Sequence, residues 1–153
     1  MDNYLDTTLV GTHHLKAADV GDIIQSKLKS FDEQYYWLVA YTVMSNHVHV
    51  LLDTYCQLAK LSPDAHISNE NYVPYEKFMQ LIKGNASFTI NQLLGGKGRL
   101  WQHESYDHLV RNEEEFRNII WYILNNPVKA GLVENWMDYP MTYFRPEYAS
   151  LFQ

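Results

Sequence analysis

The chain has 153 residues, of which 46% are hydrophobic, 14% aromatic and 20% charged, and its formal net charge at pH 7 is −6. This length predicts a single domain over residues 1–153, large enough to bury a core without disulfides or a structural metal. The one cysteine, Cys56, excludes an internal disulfide framework and any CxxC site, and no apolar run reaches the ~20 residues of a membrane span. We therefore expect a soluble cytoplasmic protein with no membrane partner.

The basic and acidic residues are unevenly distributed along the chain. An acidic protein is poorly suited to wrap a phosphate backbone. Residues 77–111, however, hold five basic and two acidic side chains, while acidic residues gather near the start of the chain and at Glu113–Glu115. This segment is either suited to contact phosphates or an ordinary solvated surface.

The first half of the chain predicts one helix and a hairpin. Apolar residues spaced by three and four over 17–31 indicate an amphipathic helix. Tyr36–Met44, rich in β-branched and aromatic residues, predicts a strand, and His47–Leu52 predicts its partner across a short turn. Residues 53–76 are polar, contain two prolines and predict a long loop within the domain.

The second half predicts two further helices. Helical spacing returns over Phe78–Leu94 with an interruption at Gly84, and a short strand is expected to begin at 100–103. Asn112 followed by Glu115 has the pattern of a capping box, and an apolar stripe continues from there as an amphipathic helix. Pro127 is predicted to end this helix, because proline disfavours helical geometry at the residue before it.

His47 and His49 form the first candidate site. Alternate residues of a strand point to the same face, so the two imidazoles project together. They can converge on one metal ion if another element supplies a third ligand. The alternative is a pair of polar residues on the solvent face of an antiparallel sheet.

Tyr122 and Asn126 form the second candidate site, one helical turn apart and away from the centre of the apolar stripe. A tyrosine nucleophile is weak at its ordinary pKa, near 10, and needs a metal or a base that also polarises the bond to be broken. Taken alone, the pair is equally consistent with a tyrosine on the flank of a helix and an asparagine near its end.

Three segments of the chain carry motifs in a fixed order: VMSNHVHVLL at 43–52, LWQHESYDHLVR at 100–111 and YILNNPVKAGLV at 122–133. Together they resemble the HUH single-tyrosine transposases, and most closely their REP-associated tyrosine transposase branch. The first is similar to the strand that carries the two histidines of that family, the second to its WQ-x-E-x-YD-x-x-VR segment, and the third to its YI-x-x-NPVKAGLV signature.

The resemblance implies a ferredoxin-like α+β domain whose antiparallel sheet carries the histidine pair. It also implies that the protein cleaves single-stranded DNA beside a hairpin and uses a divalent metal, Mg²⁺ or Mn²⁺. The protein is expected to act as a homodimer. By position, Tyr122 would be the catalytic nucleophile that forms a 5′-phosphotyrosine. His47, His49 and Asn126 would be the metal ligands.

The start of the chain departs from the family pattern. Members usually open with a strand that reads like YFVTFR, and before residue 17 only Thr7–Val10 is a short candidate. We therefore expect the first strand to be missing or replaced, for instance by a strand from a partner subunit, since an unpaired sheet edge is a liability.

Contacts to DNA are predicted from aromatic and basic residues near the motifs. Trp101 is a candidate to stack on an unpaired base, with a buried tryptophan as the alternative. The candidates for phosphate contacts are Lys83, Arg99, Arg111 and Lys129.

Two other functions remain open at this point. The chain could be a non-catalytic DNA-binding relic of the same fold, or a small metal-dependent phosphodiesterase that uses the histidine pair without the tyrosine.

Overall fold

The structure, a computed structural model, describes residues 2–8, 18–66, 70–101 and 106–152. Helices and strands are mixed along the chain, so the α+β class predicted from the sequence is confirmed. Two short 3-10 helices flank the last strand, at Trp136–Asp138 and Pro146–Phe152. The other elements are β1 (Asp2–Thr8), α1 (Ala18–Ser30), β2 (Trp37–Val43), β3 (His47–Asp53), α2 (Tyr55–Ala59), α3 (Tyr75–Leu94), β4 (Tyr106–Leu109), α4 (Glu113–Lys129) and β5 (Thr142–Phe144).

The strands form one antiparallel sheet in the order β4-β1-β3-β2-β5. The first four strands, interleaved with α1 and α3, have the ferredoxin-like arrangement. The predicted hairpin of β2 and β3 is confirmed, with His49 opposite Thr42. Strand β3 therefore lies in the middle of the sheet, bonded on both sides.

The first strand is present, which corrects the expectation that it is missing or replaced. β1 begins at Asp2 and pairs with β3 along its whole length and with β4 over four residues. Aspartate and asparagine are depleted in strands, and for this reason the local sequence does not predict one. Hydrogen-bonding partners on both sides satisfy the backbone of β1 and override that weak local preference.

Two layers of helix cover the two faces of the sheet. On one face, α1 and α3 pack against side chains such as Tyr41 and Val50. On the other face, Leu51 packs beneath Ile120 and Ile123 of α4. Because side chains alternate along a strand, the odd-numbered residues of β3, including both histidines, face α4.

Helix α4 begins at a side-chain cap and continues through a proline. The Asn112 side chain accepts a hydrogen bond from the Glu115 N–H at 2.9 Å, and the Glu115 carboxylate accepts from the Arg111 N–H at 2.7 Å. The helix is predicted to end at Pro127 but extends to Lys129. One missing N–H in the last turn removes a single backbone bond, and the proline φ angle is itself helical.

Two further segments differ from the sequence predictions. Helix α3 is continuous through Gly84. The predicted loop at 53–76 contains α2 and the start of α3. Part of the strand expected at 100–103 lies outside the described residues. None of the described helices is long and apolar enough to cross a lipid bilayer.

The cap of α4 provides a first testable prediction. We expect Asn112→Ala to lower the free energy of unfolding by about 1 kcal/mol, because the Glu115 N–H loses its acceptor. Urea denaturation measures this change. Asn118→Ala, at an exposed position inside the same helix, is the matched control, and we expect it to be neutral or slightly stabilising. Equal destabilisation by both variants would contradict the role of the cap.

Candidate active site

The two histidines of β3 lie side by side on the face of the sheet that α4 covers. Their ring centroids are 4.7 Å apart, with the rings nearly perpendicular. The Nδ1 atom of His47 forms a 2.5 Å hydrogen bond with the side-chain oxygen of Asn46. A bond of this kind orients an imidazole and is typical of metal-binding histidines, which then coordinate through the other ring nitrogen.

His49 is held in its neutral form by its surroundings. Its side chain lies beneath α4 and is only 2% exposed. Burial, with a smaller contribution from the nearby His47, lowers the pKa of His49 from 6.5 to about 3. A neutral imidazole retains the lone pair that a metal ion needs, so His49 requires no deprotonation near pH 7 to act as a ligand.

Helix α4 brings Tyr122 to this pair within the same chain. The Tyr122 ring lies edge-on to the His49 ring, with 5.3 Å between centroids. The helix runs in the opposite direction to β3, because Phe116 near its start lines the same cleft as Asp53 at the end of β3. Tyr122 is 43% exposed, so one side of the ring meets the histidines and another meets solvent.

Asn126 lies one turn beyond Tyr122, towards the end of β3 that carries His47. Its side-chain amide nitrogen donates a 3.0 Å hydrogen bond to the Tyr122 carbonyl, which leaves the amide oxygen as the end of the side chain suited to a cation. Two imidazoles and an amide oxygen suit a divalent metal such as Mn²⁺ with open positions for substrate oxygens. Within the described parts of the chain, no group of three His, Cys, Asp or Glu side chains is placed to hold a metal ion.

The predicted DNA contacts divide between the two faces of the sheet. Lys129 lies at the candidate site, with its ammonium 5.1 Å from the centroid of the Tyr122 ring. Arg99 and Arg111 are exposed. Trp101 and Lys83 instead belong to the face covered by α1 and α3.

The prediction that Trp101 stacks on a base is not supported by its position. The side chain is 8% exposed, and its indole N–H donates a 3.0 Å hydrogen bond to the Lys83 carbonyl. Lys83 in turn lies over the indole ring at 5.9 Å, and burial lowers the pKa of its ammonium. Trp101 is therefore part of the core, and Lys83 is a weaker phosphate contact than its position in the sequence implies.

Sequence reasoning missed two contacts at the site. Asn46 falls in the short turn predicted between the two strands, and its side chain forms a hydrogen bond with His47 that this prediction does not include. Lys129 is predicted only as a phosphate contact, although it lies over the Tyr122 ring. Tyr122 and Lys129 are seven residues apart in one helix and therefore lie on nearly the same face. This spacing is a signal that could have revealed their contact.

Comparison with known proteins finds relatives of one kind. The chain is 30% identical over 106 residues to a provisionally named REP-associated tyrosine transposase of Haemophilus influenzae, covering 69% of this chain and 57% of that protein. It is 35% identical over 54 residues to the REP-associated tyrosine transposase of Escherichia coli, covering 35% of this chain and 33% of that protein. The matches thus span between one third and about half of these relatives' own lengths. No family model matches the chain.

A solved structure extends the likeness to the fold of almost the whole chain. It is described as a REP-associated tyrosine transposase bound to a REP hairpin, and it covers 97% of this chain and 79% of its own with a TM-score of 0.65. At 19% sequence identity, this match establishes the shared fold. The sequence relatives agree with this likeness: the chain is similar in sequence and in fold to REP-associated tyrosine transposases.

Proposed function

We propose that this chain nicks and rejoins single-stranded, hairpin-containing DNA through a covalent bond to Tyr122. The observation that carries the proposal is the contact between the Tyr122 ring and the buried His49 beside His47, all within one chain. A candidate nucleophile and candidate metal ligands that are distant in sequence meet at one place. The solved relative described as bound to a REP hairpin supports hairpin DNA as the substrate.

In the proposed reaction, the Tyr122 hydroxyl oxygen attacks a DNA phosphorus. The new oxygen–phosphorus bond replaces the bond to the 3′ oxygen, which leaves and takes up a proton, while the phenol proton passes to solvent. The products are a 5′-phosphotyrosine and a 3′-hydroxyl. A divalent ion held by His47, His49 and Asn126 would polarise a non-bridging oxygen and offset the charge that develops on it.

The covalent step explains how nicking and joining can use one site. The phosphotyrosine keeps the energy of the broken phosphodiester bond, so another 3′-hydroxyl can attack it and restore DNA without ATP. The net charge of −6 supports a small footprint on a structured single strand rather than broad duplex binding. We also propose that the protein acts as a homodimer, although the contact between Tyr122 and His49 is formed within one chain.

The test is a search for a protein–DNA adduct with hairpin oligonucleotides labelled at either end. With Mn²⁺ or Mg²⁺ we expect an adduct, stable in denaturing gels, that carries the 3′-end label but not the 5′-end label. Chelation should abolish it, and a fully paired duplex of the same sequence should give far less.

The other outcomes identify the alternatives. Hairpin binding without an adduct, insensitive to chelator, would favour a DNA-binding relic. Metal-dependent hydrolysis without an adduct would favour a phosphodiesterase. Either result would contradict the proposed transfer reaction.

A further inference from the structure

Lys129 contacts the nucleophile of the proposed reaction directly. It occupies the last turn of α4, seven residues after Tyr122, and a helix returns to nearly the same face after that interval. Its ammonium lies 5.1 Å from the centroid of the Tyr122 ring, within the range of a cation–π interaction. The contact therefore joins a cation to the ring whose oxygen would attack DNA.

The Tyr122 ring needs such a contact because burial alone does not hold it. The side chain is 43% exposed, and an exposed ring changes rotamer on the picosecond-to-nanosecond scale. His49 touches the ring edge-on at 5.3 Å on one side. Lys129 adds a second point of contact, so together they restrict the direction in which the hydroxyl points.

Within the described residues, none of the ion pairs includes the ammonium of Lys129. Its position in the last turn of α4 also places its charge where the helix dipole favours a cation. The lysine is therefore exposed beside the ring.

We propose that Lys129 is a positioning residue that holds the Tyr122 ring against the histidine pair for attack on DNA. The inference rests on the proposed function, but it assigns Lys129 a role different from that of a phosphate contact in a binding groove. A groove contact would act mainly on affinity for DNA. A positioning contact would act on the rate of adduct formation once DNA is bound, because displacing a reacting atom by about 1 Å can cost ~10²-fold.

Lys129→Met separates these roles, because it keeps much of the side chain and removes the charge. We expect the single-turnover rate of adduct formation at saturating hairpin DNA to fall by about tenfold or more, while the dissociation constant changes less than about threefold. Lys129→Arg should recover most of the rate, since a guanidinium also stacks on aromatic rings. A loss of affinity with an unchanged saturating rate would overturn the proposal.

The matched control is Lys29→Met. Lys29 lies 5.7 Å from the centroid of the Tyr143 ring, so its removal deletes the same type of contact away from the candidate site. We expect neither the rate nor the affinity to change in this variant. An equal fall in rate for both lysine variants would show a general effect of charge and would contradict positioning by Lys129.

A second measurement does not depend on activity. In the DNA-free protein, NMR signals from the Tyr122 ring, identified by their absence in Tyr122→Phe, should shift in Lys129→Met and not in Lys29→Met. Unchanged signals would overturn the ring contact. If the wild-type chain forms no adduct, the proposed function fails, and these signals still decide whether Lys129 holds the ring.

Discussion

Tyr122→Phe is expected to abolish the covalent adduct with hairpin DNA, with a loss of at least ~10³-fold in its rate of formation. The substitution removes one oxygen and keeps the ring, so the contacts with His49 and Lys129 should persist. DNA affinity and the free energy of unfolding should therefore change little. The measurement is a time course of adduct formation in denaturing gels, with affinity determined on the same oligonucleotide.

The matched control for this variant is Tyr55→Phe. Tyr55 is 53% exposed on α2 and lies outside the candidate site, so loss of its hydroxyl should leave adduct formation unchanged. An adduct formed equally well by Tyr122→Phe would exclude Tyr122 as the nucleophile. Because the chain has twelve tyrosines, peptide mapping of that adduct would then identify the residue that reacts.

His49→Leu is expected to remove metal binding without destabilising the fold. Leucine has a similar size and needs no hydrogen-bonding partner at a position that is 2% exposed. The free energy of unfolding of the metal-free protein should therefore stay the same or increase. Adduct formation should fall by ~10²-fold or more, because one of the proposed ligands is lost.

Mn²⁺ binding, measured by calorimetry or electron paramagnetic resonance, tests the ligand role without reference to activity. We expect the affinity of His49→Leu for Mn²⁺ to fall by at least tenfold. His66→Gln, at an exposed position outside the helices and strands, is the control and should bind as the wild type does. Wild-type Mn²⁺ affinity in His49→Leu would exclude His49 as a ligand, whatever happens to the adduct.

Local patterns in the sequence predict most of the elements that carry the site. Runs rich in β-branched and aromatic residues indicate β2 and β3 as a hairpin, and the alternation of side chains along a strand places His47 and His49 on one face. The apolar stripe after Asn112 indicates α4 and places Tyr122 and Asn126 one turn apart. These patterns are readable because each depends on residues that are close neighbours in the chain.

The sequence predictions that fail or stay open do so for different physical reasons. β1 exists because β3 and β4 supply hydrogen bonds on both sides, although its aspartates disfavour a strand. Helix α4 passes Pro127 because a proline in the last turn removes only one bond. Trp101 enters the core opposite the histidines, since a motif read along the chain does not indicate a face of the sheet.

The sequence by itself determined the resemblance to REP-associated tyrosine transposases, the histidine pair and the spacing of Tyr122 and Asn126, because short-range periodicity and ordered motifs carry that information. Only the tertiary structure decided that Tyr122 meets His49 within one chain and that burial keeps His49 neutral. These features arise when α4 packs across the sheet. Packing brings together residues more than 70 positions apart, and no local pattern encodes that contact.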